Sequence, residues 1–251
     1  MPARPRSAGR RAGGGGVGMG LRRGAASGNK SVTRCDGAAR TAWSIGTPPA
    51  MSEHKLILAS GSPRRHELLR RAGIEFEIVE SGVEELLRAG ESGAEFALRM
   101  AAEKAIAVSA ARPGAIVLAA DTIVACGARI LGKPADPAEA RAMLSALAGV
   151  THTVVTAFAI ACGGALAERI AVSSRVTFRT LTAAEIDAYV ASGESLDKAG
   201  AYGIQGRGAD FIVAVEGTRD NVMGLPVAEV IAALARHGVA PKTDRDGMGE
   251  H

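Results

Sequence analysis

Ala115-Ile116-Val117-Leu118-Ala119-Ala120-Asp121-Thr122-Ile123-Val124-Ala125-Cys126 carries more structural information than any other stretch of the chain. Its apolar run reads as a long buried strand, broken only at Asp121-Thr122. An ionised carboxylate in such a run is costly unless it is paired, bound to a metal, or set at a strand end facing a cleft. Each of those outcomes suits chemistry on phosphates, where a carboxylate holds a divalent ion or accepts the proton of an attacking water. The plainer alternative is a strand terminus at which Asp121-Thr122 opens a turn.

Helices and strands interleave around this segment. Leu56 to Ala59 is a short apolar run and reads as a buried strand. Helical spacing follows in 63–72, closing at Gly73, and again in 93–111, where Phe96, Met100 and Lys104 share one side. Residues 136–147 look helical, with Pro137 in the first turn and Gly149 just past the end. Two strands, about 152–162 and 166–179, form a hairpin around Gly163-Gly164. A helix near 183–192 leads into a glycine-rich stretch, Gly200 to Gly208, then a strand at Ile212 to Val215 and a helix over 226–237. No segment repeats. The class is α/β, a single domain over 51–240 with a cleft, followed by a flexible tail at 241–251.

Composition narrows the function classes. The 251 residues carry a formal charge of +4, which invites a nucleic-acid reading. Residues 1–50, however, hold nine of the 30 Lys/Arg and one of the 26 Asp/Glu, leaving 21 basic and 25 acidic residues in 51–251. The body is mildly acidic, and a global positive field for nucleic acid is not supported. The Gly/Arg-rich segment 1–50 has too little apolar patterning to fold and is expected to be disordered. We read Met51 as the natural start and the preceding residues as an upstream extension of the reading frame. Cys35, Cys126 and Cys162 show no Cys-x-x-Cys spacing and suit a reducing compartment. The longest uncharged apolar stretch before a charge is too short to span a bilayer. Location in the cytoplasm is expected.

Ser60-Gly61-Ser62-Pro63-Arg64-Arg65 is a candidate anion site. Ser62 suits an N-cap and Pro63 the first helical position. Arg64 and Arg65 then face the positive end of the helix dipole, at a cost of up to roughly 0.3–1 kcal/mol each. A phosphate reverses that sign, because the free N–H groups, the serine hydroxyls and both guanidinium forks converge on it. The alternatives are an ordinary N-cap with two solvated arginines, or a minor-groove DNA contact. A single copy on an acidic body disfavours the latter.

Other charged residues read less sharply. Gly127 to Lys133 has P-loop spacing, yet Pro134 follows where Ser or Thr would hold magnesium, so a P-loop is rejected. Lys133 remains able to reach a phosphate from a turn. Lys104 on the helix face of Phe96 and Met100 reads first as a snorkelling surface lysine, with a cleft-facing ammonium as the alternative. Glu84-Glu85 reads as a solvated helix start or, alternatively, as a second metal-facing acid.

Five ordered motifs resemble the Maf family of nucleotide pyrophosphatases: Ser60 to Arg65, Glu103-Lys104-Ala105, Ala120-Asp121-Thr122, Gly132-Lys133-Pro134, and Asp197-Lys198-Ala199-Gly200-Ala201-Tyr202-Gly203-Ile204-Gln205-Gly206. The likeness runs from about Lys55 to His237. It implies an elongated, twisted mixed sheet flanked by helices, two lobes around a cleft, and a homodimer. It also implies hydrolysis between the α- and β-phosphates of a nucleoside triphosphate with a divalent cation, Mg²⁺ or Mn²⁺. By the same likeness Asp121 is the proton acceptor, Ser60, Arg65, Lys104 and Lys133 are phosphate ligands beside Ser62, and Glu85 is a metal-side carboxylate. Whether Asp121 acts as base or through the metal stays open. Arg64, Thr122 and Gln205 resemble the specificity positions of the branch acting on dTTP and UTP. A glutamine amide can donate to O4 and accept from N3–H of either base. Two other functions remain as alternatives: a nucleotide-responsive inhibitor of septum formation, and nucleic-acid binding through the basic segment.

Overall fold

The computed structural model describes residues 55–242, so the expectations for 1–50 and for most of 241–251 lie outside the described residues. Its centre is β3 (Ile116–Cys126), the strand anticipated from the opening segment. On one edge β3 pairs in parallel with β1 (Leu56–Leu58), which pairs in parallel with β2 (Glu77–Ile78). On the other edge it pairs antiparallel with β5 (Thr151–Cys162), followed by β6 (Ala165–Phe178) and β7 (Ile212–Glu216). A short strand β4 (Arg129–Leu131) folds back antiparallel on the end of β3. The sheet is therefore mixed, seven-stranded, and flanked by helices.

Alternation along β3 assigns the two faces. Val117, Ala119 and Ile123 pack with Phe96, Met100 and Val108 of α2 (Gly93–Ala111), whose apolar positions recur at helical spacing. A full capping box, Ser92 with Glu95, starts that helix. The opposite face is covered in two parts. Ile116, Leu118 and Ala120 meet α1 (Pro63–Arg71) and α6 (Val227–Arg236) through Leu69 and Leu234. Val124, one turn of the pleat further on, meets α3 (Pro137–Leu147) and α4 (Ala183–Ala191) through Leu144 and Tyr189. Two cores on one face, joined by one long helix on the other, give the chain its two lobes.

The hairpin between β5 and β6 turns at Gly163 and Gly164, both at positive φ (56° and 79°), as a two-residue primed turn requires. Five short elements were not anticipated: β2, β4, α5 (Arg219–Met223) and two 3₁₀ turns, Ala199–Ala201 and Gly206–Phe211, none longer than six residues. One expectation is corrected. β3 is not broken at Asp121-Thr122; both residues stay in register, opposite Ala157 and Thr156 of β5. The polar pair is tolerated within the strand because each side chain finds partners on its own face, as described below.

His152 lies buried in β5 between Phe178 and Tyr202, with Nε2 2.7 Å from the Tyr202 hydroxyl. Burial pushes its pKa down to about 4. An unfolded chain takes up that proton near pH 6.5. Between those values the unfolded state binds more protons, so stability falls as pH drops from about 6.5 towards 4. We expect this residue to account for up to about 3 kcal/mol of that fall. Urea unfolding of His152→Gln across the range should show a correspondingly flatter profile; an unchanged profile assigns the acid sensitivity elsewhere.

Candidate active site

The site forms where β3 loses a neighbour. On its β1 edge, pairing covers Ile116 to Leu118 and resumes with β4 only at Val124. The last bond on the β1 side runs from the Ala59 N–H to the Leu118 carbonyl. From there the chain leaves β1 through Ser60 to Ser62 into α1. A cavity of about 690 Å³ opens over the unpaired stretch. All of Ser60, Ser62, Arg64, Arg65, Glu85, Lys104, Asp121, Thr122, Lys133 and Gln205 line it. Residues spread over 146 positions of sequence are thus brought to one cleft because four loops and strand ends meet at the gap.

On the α2 face the chemistry is carboxylate and ammonium. Lys104 Nζ lies 2.7 Å from Asp121 Oδ1 and 2.5 Å from Glu85 Oε1. Lys104 and Asp121 are both buried, whereas the Glu85 side chain is 42% exposed to the cleft. The surface-snorkelling reading of Lys104 is thereby corrected: a helix face shared with Phe96 and Met100 is the core face here, and the ammonium is satisfied by two acids. Burial raises the pKa of Asp121, while Lys104 and Arg65 pull it back. Burial also acts to raise Glu85, but its bond to Lys104 and the nearby charges of Lys104, Lys133 and Arg65 outweigh that and leave it lowered. Glu85 does not start a helix; it sits in an extended loop between β2 and α2.

That loop is fixed by a residue the sequence gave no reason to single out. Arg99 of α2 grips both carboxylate oxygens of Glu91 at 2.6 Å and the Leu86 carbonyl at 2.8 Å. Its remaining nitrogen faces Glu103, one turn on. The i, i+4 pairing of Arg99 with Glu103 was visible in sequence, but the longer reach to the loop was not.

On the opposite face the chemistry is hydroxyl and guanidinium. Ser62 takes the N-cap position of α1 in extended conformation, yet its hydroxyl makes no capping bond and is left facing the cleft. Ser60 Oγ accepts from the Ser62 N–H and from Arg65 Nη1, each at 3.2 Å, so its own proton is free for an acceptor. Arg65 also donates from Nε to the Gly224 carbonyl at 2.8 Å and from Nη2 to Thr122 Oγ1 at 3.0 Å. Burial lowers its pKa, with Asp121 and Glu85 opposing. Arg64 turns away and pairs with Asp197 at 3.0 Å, in the loop that carries Gln205. Gln205 is exposed on the cleft wall, and Lys133 reaches the same cavity without an ion pair among the described residues. The two arginines of the loop are therefore engaged in different directions, one with β3 and one with the Gln205 loop.

A family described as Maf-like protein matches residues 55–237, and the chain belongs to that family. The chain is 50% identical over 184 residues to the dTTP/UTP pyrophosphatase of Myxococcus xanthus (strain DK1622), covering 73% of this chain and 93% of that protein. It is 48% identical over 188 residues to the dTTP/UTP pyrophosphatase of Bacillus cereus (strain AH820), covering 74% and 96%. The protein of that name from Geobacter sulfurreducens is 45% identical over 191 residues, covering 75% and 99%. A solved nucleoside-triphosphatase / dITP/XTP pyrophosphatase from Mycobacterium abscessus aligns over 73% of this chain and 95% of its own, at 20% identity and a TM-score of 0.35.

The central ion pair yields a stability prediction. Lys104→Met leaves Asp121 buried beside Glu85 without its cation, and losing one partner of a buried pair costs about 3–5 kcal/mol. Urea unfolding in chelator at neutral pH should show a loss of that order. Without its cation the buried carboxyl is raised further above its unfolded value, so the deficit should shrink as pH falls from that raised value towards the ordinary carboxylate range. A deficit independent of pH means that Lys104 acts by packing alone.

Proposed function

We infer that this chain is a nucleoside-triphosphate pyrophosphatase that hydrolyses dTTP and UTP to the monophosphate and pyrophosphate. The observation that carries the reading is the opposition, across one cavity, of the Asp121–Lys104–Glu85 cluster and the Ser60–Arg65 loop. A triphosphate needs fixed cations and N–H or O–H donors along its length and a base beside one phosphorus. The cavity has both. Relatives at 45–50% identity bearing the name dTTP/UTP pyrophosphatase support the same substrates.

In the mechanism we propose, the Ser60 and Ser62 hydroxyls, Arg65 and Lys133 hold the phosphates, with Lys104 at the deep end. Asp121 accepts a proton from a water aligned on the α-phosphorus; the new P–O bond forms as the bond to the bridging α–β oxygen breaks. Pyrophosphate leaves with its charge held by the cations. Arg64 and Gln205 select the base, Gln205 through the O4 and N3–H edge common to uracil and thymine. A divalent cation, Mg²⁺ or Mn²⁺, fits here: Glu85 and Asp121 already converge on one cation, Lys104 Nζ. Glu85 and Asp121 would hold the ion; among the described residues no third acid, histidine or cysteine joins them. When bound, such an ion supplies charge neutralisation of the triphosphate.

We assign this activity to residues 51–240 as one domain, working as a homodimer as the family likeness implies. No described helix is long and apolar enough to cross a membrane. The free state of Cys126 and Cys162 supports our placing the protein in the cytoplasm.

Asp121→Asn should lower pyrophosphate release from UTP and dTTP by about 10²–10⁴-fold, the usual contribution of a general base. It should still bind a non-hydrolysable dTTP analogue in titration calorimetry. Burial raises Asp121, so the acid limb of kcat/KM in the unaltered enzyme should lie above the ordinary carboxylate range. Near-normal turnover of UTP by the variant with Mg²⁺ would falsify the assignment. Failure to release pyrophosphate from either nucleotide, when the standard ribonucleotides are also tried, would sink the function itself.

A further inference from the structure

Thr122 and Thr156 stand directly opposite each other in the β3–β5 ladder, on the face away from α2. Their hydroxyl oxygens are 3.0 Å apart. The directions of the bonds around them are determined by proton count. Thr156 Oγ1 donates to the Asn221 carbonyl at 2.8 Å. A hydroxyl has one proton, so Thr156 must accept from Thr122. Thr122 in turn accepts from Arg65 Nη2 at 3.0 Å. From the guanidinium to Asn221 every proton runs one way, and Thr122 has no donor left to offer a nucleotide.

The other end of the same segment closes the circuit. Arg65 Nε donates to the carbonyl of Gly224, three residues after Asn221. Gly224 sits at φ 112°, and a Cβ there would lie 3.3 Å from Thr122 Oγ1 and 3.4 Å from Arg65 Nε. Both the backbone conformation and the close approach call for glycine. The guanidinium plane is thus set by two carbonyls of α5 and its C-cap, one reached directly and one through two threonines. With Nε, one N–H of Nη1 and one of Nη2 engaged, one N–H remains on each Nη.

We propose that Thr156, a fully buried residue outside the cavity, is a positioning residue for Arg65, acting through the hydroxyl of Thr122. Together they hold the guanidinium so that its two remaining N–H groups meet phosphate oxygens. Because every nucleoside triphosphate presents the same phosphates, Thr156 governs rate on all substrates alike. The inference rests on Arg65 as a phosphate ligand in the reaction proposed above.

The test measures kcat and KM for dTTP and UTP with Mg²⁺ in Thr156→Val, Thr156→Ser, Thr122→Val and Arg65→Lys, and in the double variant Arg65→Lys/Thr156→Val. Thr156→Val should lower kcat/KM about 10- to 100-fold, the scale of a small misplacement of a catalytic group. The dTTP/UTP ratio should stay within about twofold, and Thr156→Ser should recover activity to within about threefold. On the Arg65→Lys background, where no fork is left to orient, Thr156→Val should have little further effect. Thr122→Val should repeat the Thr156→Val pattern, and serves alone if Thr156→Val does not fold. The proposal is overturned by normal turnover in the folded valine variants, by a loss confined to one nucleotide, or by an undiminished loss on the Arg65→Lys background. Normal turnover in Arg65→Lys removes the phosphate-ligand premise instead, and absence of turnover in the unaltered protein removes the reaction.

Discussion

A β-strand carries hydrogen-bonding groups on both edges, and along residues 119–123 β3 has a strand partner on one edge only. Unpaired backbone groups cannot be buried under apolar side chains without a cost comparable to a lost hydrogen bond. The free edge must therefore face water or a ligand, and the elements on either side must part around it. β1 stops and its chain turns into α1; β4 pairs with β3 only after five residues without a partner on that edge. The cleft is what remains between them. The continuous ladder with β5 on the other edge keeps the floor of that cleft rigid while the two lobes diverge.

Because Asp121 and Thr122 are adjacent on one strand, the pleat sends them to opposite faces of the same gap. Asp121 is delivered to α2 and its buried ammonium, Thr122 to the guanidinium of α1. This alternation places a carboxylate and a guanidinium on two sides of one cleft without any loop having to be ordered for the purpose. It also keeps the cations from neutralising the carboxylate outright: Lys104 is shared with Glu85, and Arg65 is engaged by hydroxyl and carbonyl oxygens. Burial, which outweighs the pull of Lys104 and Arg65, leaves Asp121 with a raised rather than a depressed pKa. A carboxylate in that state accepts a proton more readily than an ordinary aspartate.

Much of this arrangement is legible in the chain itself, and the parts that are not fail for identifiable reasons. The apolar run and length of Ala115 to Cys126, the helical spacing of Phe96 and Met100, and the Gly163-Gly164 turn are local signals, and the structure agrees with them. β2, β4 and α5 are too short to show a period at all. The face that Lys104 presents is ambiguous from one helix, because a lysine beside Phe and Met is equally consistent with snorkelling outward and with an ion pair inward. The answer lies in Glu85 and Asp121, 19 and 17 residues away. Thr156 gave no signal, being one hydroxyl in an apolar strand whose role depends on register with β3. The interruption expected at Asp121-Thr122 is absent for the same reason: polarity within a strand is costly only when unpartnered, and the partners come from distant elements.

The pair of arginines at the start of α1 shows how a locally unfavourable choice is balanced by the fold. The first turn has no acid, and the N-cap hydroxyl makes no capping bond, so the helix begins with its positive end uncompensated from within. Arg64 is offset by Asp197 and Arg65 by the Gly224 carbonyl and two hydroxyls. These contacts spread the positive charge without cancelling it. Ser62 Oγ, the proton of Ser60 and the remaining N–H groups of Arg65 still converge on one space. An anion there satisfies the helix end, the hydroxyls and the guanidinium together. In the function we propose, a helix start that is incompletely capped by its own protein is one whose cap is the phosphate of its substrate.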